Sequence, residues 1–195
     1  MAKNQNFESA LFNTADKLRK NIDAAEYKNV VLGLIFFKYI SDSFSELYDK
    51  LNDDDFSEPE DRDEYVAENV FFVPQNARWA KLQAQAKLPE IGIAIDDAMS
   101  AIEKENSELK NVLPKVFAKP NLDKSSLGQL IDVISDIELK TENESSKDLL
   151  GRVYEYFLGE FANAEGKKGG QFYTPKSIVK LMVGLSSRYC KNGSR

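Results

Sequence analysis

Val30-Val31-Leu32-Gly33-Leu34-Ile35-Phe36-Phe37 is the longest apolar run in the chain, and whether it is helix or strand decides the fold. Periodicity within it does not choose, because such a run suits a buried strand and a buried helix alike. The flanks do choose. Upstream, Asp23 offers an N-cap, with Glu26 three residues on as a capping-box partner. Ala24 and Ala25 between them favour helix. Downstream, Ile40, Phe44, Leu47 and Leu51 recur at helical spacing. One long helix to about Leu51 is therefore expected, roughly 42 Å at 1.5 Å per residue, enough for the spine of a helical domain. The run is too short to span a bilayer.

Shorter amphipathic segments lie on either side. Phe7 to Lys20 reads as a first helix, with Phe7, Leu11, Ala15 and Leu18 on one face. Asn52 to Glu64 is acidic and holds Asp53-Asp54-Asp55 and Pro59, with no Gly or distal Glu at calcium-loop spacing. It reads as a solvated loop. A short helix around Arg62 to Asn69 follows, then extended Val70-Phe71-Phe72-Val73 ended by Pro74. Ala77 to Lys87 suits a helix that places Trp79 as a core anchor in preference to a base-stacking platform.

Ile91 to Leu109 is amphipathic, with Ile95, Ala98 and Ile102 inward and Asp96, Glu103, Lys104 and Glu105 outward. Pro114 and Pro120 bracket a loop carrying Val116 and Phe117. Asp123-Lys124-Ser125-Ser126 then precedes a helix patterned by Leu127, Leu130, Ile131, Ile134 and Ile137. Lys140 to Ser146 is short and polar, which sets a domain junction there: residues 1–142 form a helical domain and residues 143–195 begin another.

Apolar residues at 42% and charged residues at 30% of 195 describe a globular, soluble chain. The N-terminus lacks the apolar core of a signal peptide, so a cytoplasmic location is expected. A single cysteine, Cys190, and no histidine exclude an internal disulfide and the usual structural zinc sites. Net charge is −6, distributed unevenly: residues 1–145 hold 17 basic and 28 acidic side chains, residues 146–195 hold 9 basic and 4 acidic. The acidic leader repels phosphate and is a poor DNA surface by itself. The basic tail suits either a DNA-facing surface or a solvated loop.

Past the junction, Ser145 can cap a helix whose wide apolar face is Leu149, Leu150, Val153, Tyr154, Phe157, Leu158 and Phe161. A glycine- and lysine-rich loop, Asn163 to Gly170, lacks the Gly-Lys-Ser/Thr of a phosphate-binding loop. It leads into Gly169-Gly170-Gln171-Phe172-Tyr173-Thr174-Pro175 and a helix bearing Ile178, Leu181, Met182 and Leu185. Thr174 suits a cap and Pro175 the first helical position. On its residues alone this is either a capped helix after a flexible loop, or a helix start that holds a polar cofactor.

Three stretches in order carry a resemblance: Leu18 to Lys28, Asp148 to Leu158, and Gly169 to Met182. Together they resemble the N-terminal portion of the modification subunit, HsdM, of type I restriction–modification systems, a DNA-adenine methyltransferase. The resemblance implies a mainly α chain: a helical N-terminal domain, then the first helices of a truncated α/β Rossmann-like methyltransferase domain. It implies S-adenosylmethionine as cofactor, contacted by Gly170, Gln171, Phe172, Tyr173, Thr174 and Pro175. Phe172 and Tyr173 have a competing role in packing the new helix. Implied partners are DNA, a specificity subunit, a restriction subunit and a second modification subunit.

The family's glycine-rich turn and its (Asn/Asp)-Pro-Pro-aromatic motif do not occur here. Catalytic residues are therefore expected downstream of residue 195, and the chain alone is expected to be inactive. A non-catalytic helical interaction module is the rival reading.

Overall fold

Asp23 acts as its position predicts: its carboxylate accepts the Glu26 backbone N–H at 2.9 Å. Behind that cap the computed structural model carries one helix, α2, from Ala24 to Asn52, 29 residues long. The structure describes residues 11–20, 22–136, 151, 153–157 and 159. Every residue of α2 from Val30 to Ser41 is buried, which is what an all-round apolar helix requires. Among the described residues there is no strand, so the protein is mainly α.

The other elements wrap this spine. Residues 11–16 are helical (α1) and tighten into a 3-10 turn at Lys17–Lys20. Leu11, Ala15 and Leu18 are buried on the predicted face, whereas Phe7 lies outside the described residues. The acidic stretch is a chain of turns up to α3 (Arg62–Ala67), capped by Asp61. Residues 70–73, in no regular element, lead to α4 (Trp79–Ala84), α5 (Ile91–Glu105) and α6 (Lys124–Ser135). Residues 151, 153–157 and 159 are helical and form α7.

Aromatic contacts tie the layers together. Trp79 is the core anchor expected of it: its ring meets Phe37 edge-on at 5.5 Å, and its N–H donates to Ser135 Oγ at 2.8 Å. At the far end of α2, Phe44 stacks on Tyr65 at 4.6 Å and meets Phe72 edge-on. Arg78 covers the rings of Phe44 and Tyr48 and pairs with Glu60 at 2.6 Å, which pins the acidic loop to the spine.

Close approach at two glycines seats loop segments on the helices. A Cβ on Gly128 of α6 would lie 2.2 Å from the Ala86 carbonyl oxygen, and one on Gly33 would lie 2.4 Å from the Pro114 ring. Gly33, the break in the apolar run, is the seat for that proline.

Two acidic side chains expected to face solvent are instead turned to the following loop. Asp96 accepts from the backbone N–H groups of Phe117 (3.1 Å) and Ala118 (2.9 Å). Glu103 accepts from Leu113 N–H at 2.9 Å and pairs with Lys115. Residues 112–118 fold back over α5, and these carboxylates satisfy their backbone.

Candidate functional site

Gly170, Gln171, Phe172, Tyr173, Thr174 and Pro175 lie outside the described residues, as do the junction at 140–146 and Cys190. What the structure supplies is the approach to them. Val153 and Phe157 of α7 are fully buried and belong to the same core as α2 and α6. Phe12 of α1 meets α7 from the side, 5.8 Å from the Phe157 ring and 6.4 Å from Tyr156, the latter edge-on. Tyr156 and Phe157 are themselves edge-on at 6.0 Å. The helix upstream of the candidate segment is therefore seated on the helical domain.

Tyr154 is half-buried on the same helix. Its hydroxyl is enclosed and has no hydrogen-bond partner among the described residues, and burial pushes its phenol above the ordinary range. The sequence marks Tyr154 only as part of an apolar face.

Elsewhere, the titratable groups serve the fold. Among the described residues no group of His, Cys, Asp or Glu side chains could hold a metal ion. In the acidic loop, Asp54 accepts from Phe56 N–H at 3.2 Å and Ser57 Oγ at 2.7 Å, and these bonds lower its carboxyl below 3.8. Tyr65 is pushed up to about 12, first by burial and then by Glu60, and donates to the Pro59 carbonyl at 2.6 Å.

Lys38, buried in α2, pairs with Asp42, whose carboxyl is raised because burial outweighs that cation. A groove of about 490 Å³ between the 86–89 turn and α6 is lined by Lys87, Lys124, Gln129 and Asp132 among others. Lys124 is already committed there, donating to the Phe117 and Lys119 carbonyls.

A residue that the sequence did not single out holds the domain together. Buried Asn106, directly after α5, accepts from Phe72 N–H at 3.0 Å. Its amide donates to the carbonyls of Phe72 (2.9 Å) and Ile102 (2.7 Å). Its only signal in the sequence is a position at the end of an amphipathic helix.

Comparison with known proteins sets this architecture in a family. The family model described as HsdM N-terminal domain matches residues 7–137, and the one described as N-6 DNA Methylase matches residues 145–193. The type I restriction enzyme MjaIX methylase subunit of Methanocaldococcus jannaschii is 39% identical over 91% of this chain and 34% of its own length. The HindI methylase subunit of Haemophilus influenzae is 41% identical over 60% of this chain and 30% of its own. The chain thus spans about a third of the length of these relatives.

A crystal structure of a type I restriction-modification system methyltransferase subunit from Streptococcus thermophilus shares the fold. It has a TM-score of 0.61 at 24% identity and covers 88% of this chain and 41% of that one. No described helix is long and apolar enough to cross a membrane. From the match over residues 7–137, the chain belongs to the HsdM family, the methylase subunits of type I restriction–modification systems.

Proposed function

We propose that these residues are the N-terminal part of a DNA-adenine N6-methyltransferase, the modification subunit of a cytoplasmic type I complex. In this reading residues 1–142 form the helical domain, which helps enclose DNA and packs against a second modification subunit, a specificity subunit and a restriction subunit. Residues 143–195 open the methyltransferase domain, and Gly170 to Pro175 contact S-adenosylmethionine, whose sulfonium supplies the methyl group. Backbone donors at a helix start and the Thr174 hydroxyl suit its polar groups, and an aromatic ring suits its cationic part.

The observation that carries the reading is the order of the two matched families along one chain, with the second spanning every candidate contact residue. The seating of α7 on the helical core supports it, because a rigid approach is what an oriented cofactor needs. The acidic balance of residues 1–145 favours protein partners over phosphate for the leader, so most cations that meet DNA come from elsewhere in the complex.

With no (Asn/Asp)-Pro-Pro-aromatic run to receive a flipped adenine, the 195 residues alone transfer no methyl group. The test is tritiated-methyl transfer to adenine-containing duplex. The isolated chain is expected to give background counts, and the coding sequence read on to the length of its relatives is expected to give incorporation with a specificity subunit present. Incorporation by the isolated chain would overturn its inactivity. None by the extended subunit would favour the non-catalytic interaction module.

A further inference from the structure

We propose that Phe12 is a positioning residue for methyl transfer: with Tyr156 and Phe157 it forms an aromatic latch that fixes α7 on the helical domain. The inference rests on the function proposed above and adds to it a residue in the other matched region of the chain.

The side chains of α1 divide their work. Leu11, Ala15 and Leu18 are buried in the helical core and hold α1 in place. Phe12 is only partly buried at the edge of that core, and its ring neighbours are Tyr156 and Phe157. Its ring contacts therefore join α1 to α7.

The geometry is directional. Phe12 lies at 84° to Tyr156 and 51° to Phe157, and Tyr156 lies at 81° to Phe157. Rings prefer such edge-to-face contacts as that of Phe12 with Tyr156, so two adjacent rings of α7 are held against one ring of α1. Val153 and Phe157 anchor the helix in depth, and Phe12 meets it at the edge. In the proposed function the chain passes from α7 to the cofactor-contact segment, so looser seating of α7 weakens the hold on the methyl donor.

Two measurements test the latch. In the 195-residue chain, Phe12→Ala should speed amide hydrogen exchange at residues 153–157 by about tenfold, one aromatic contact's worth, while α5 and α6 amides stay unchanged. Phe12→Tyr should restore protection, and Phe12→Leu should do so only in part. In the subunit read on to its relatives' length, Phe12→Ala should raise the KM for S-adenosylmethionine by about tenfold, with Phe12→Tyr close to wild type. Unchanged exchange at 153–157 overturns the latch. Faster exchange with an unchanged donor KM overturns the positioning role. A wild-type extended subunit that binds no S-adenosylmethionine by calorimetry overturns the proposed function, and the inference with it.

Discussion

Asn106 shows how much one polar side chain can hold when it is buried. Its amide bonds to both backbone groups of Phe72 and the Ile102 carbonyl, so it joins the 70–73 segment to the end of α5. Asn106→Ala would leave both backbone groups of Phe72 enclosed and unpaired, while the Ile102 carbonyl keeps the backbone N–H of residue 106. Leaving buried backbone groups unsatisfied costs on the order of 1–3 kcal/mol each, so a loss of about 2–4 kcal/mol is expected, read as a lower urea midpoint at unchanged slope. Nothing local announces this residue. A polar side chain after an amphipathic helix looks like surface, and only the return of a distant segment buries it. Asp96 and Glu103 escaped for the same reason: helical phase points them outward, and the 112–118 loop comes back to meet them.

At the scale of elements, spacing was a good guide to where helices lie and a poorer one to where they stop. The apolar periods of α2, α5 and α6 place the inward faces correctly, and Asp23 is the cap expected of it; Asp123 caps α6 as well. The helix expected to reach Leu109 ends at Glu105, because Asn106 adopts an extended backbone (φ −124°, ψ 94°) and a 3-10 turn takes over at Ser107–Leu109. The helix expected over Ala77 to Lys87 is α4, Trp79–Ala84, flanked by turns.

Caps also govern the acid response. Asp123 accepts from Ser126 N–H at 2.8 Å, and its carboxyl is lowered from 3.8 by its bonds to the Ser126 side chain and backbone. Its contribution is therefore complete above 3.8 and fades as pH falls from there through its lower folded value. Asp42 has the opposite sign: its raised carboxyl favours the folded state when protonated, so its contribution weakens as pH rises above 3.8. Asp123→Ala should cost about 1 kcal/mol near neutrality, with the gap to wild type closing in acid; denaturant titrations across that range measure it.

For the molecule as a whole, the helical domain and α7 share one core, although two different family models cover them. That union was not legible in the sequence. Periodicity reports which face of a helix is apolar but not which distant partner covers it, so the contact between Phe12 and Phe157 appears only in the fold. The mainly helical class, by contrast, could be read from α2 alone. The cofactor segment was read from Gly169 to Met182 by resemblance, since a capped helix start is common and its chemistry is not written in spacing. A chain ending at residue 145 would lose two fully buried side chains, Val153 and Phe157. At about 1.5–3 kcal/mol each, it should unfold roughly 3–6 kcal/mol more easily, with a correspondingly lower denaturant midpoint.

That unfolding can be followed without any label. The chain holds a single tryptophan, Trp79, pressed against Phe37 and bonded to Ser135 where α2, α4 and α6 meet. Its ultraviolet emission is a beacon with one address: it reddens when water enters that corner and stays silent while distant turns such as 53–58 rearrange.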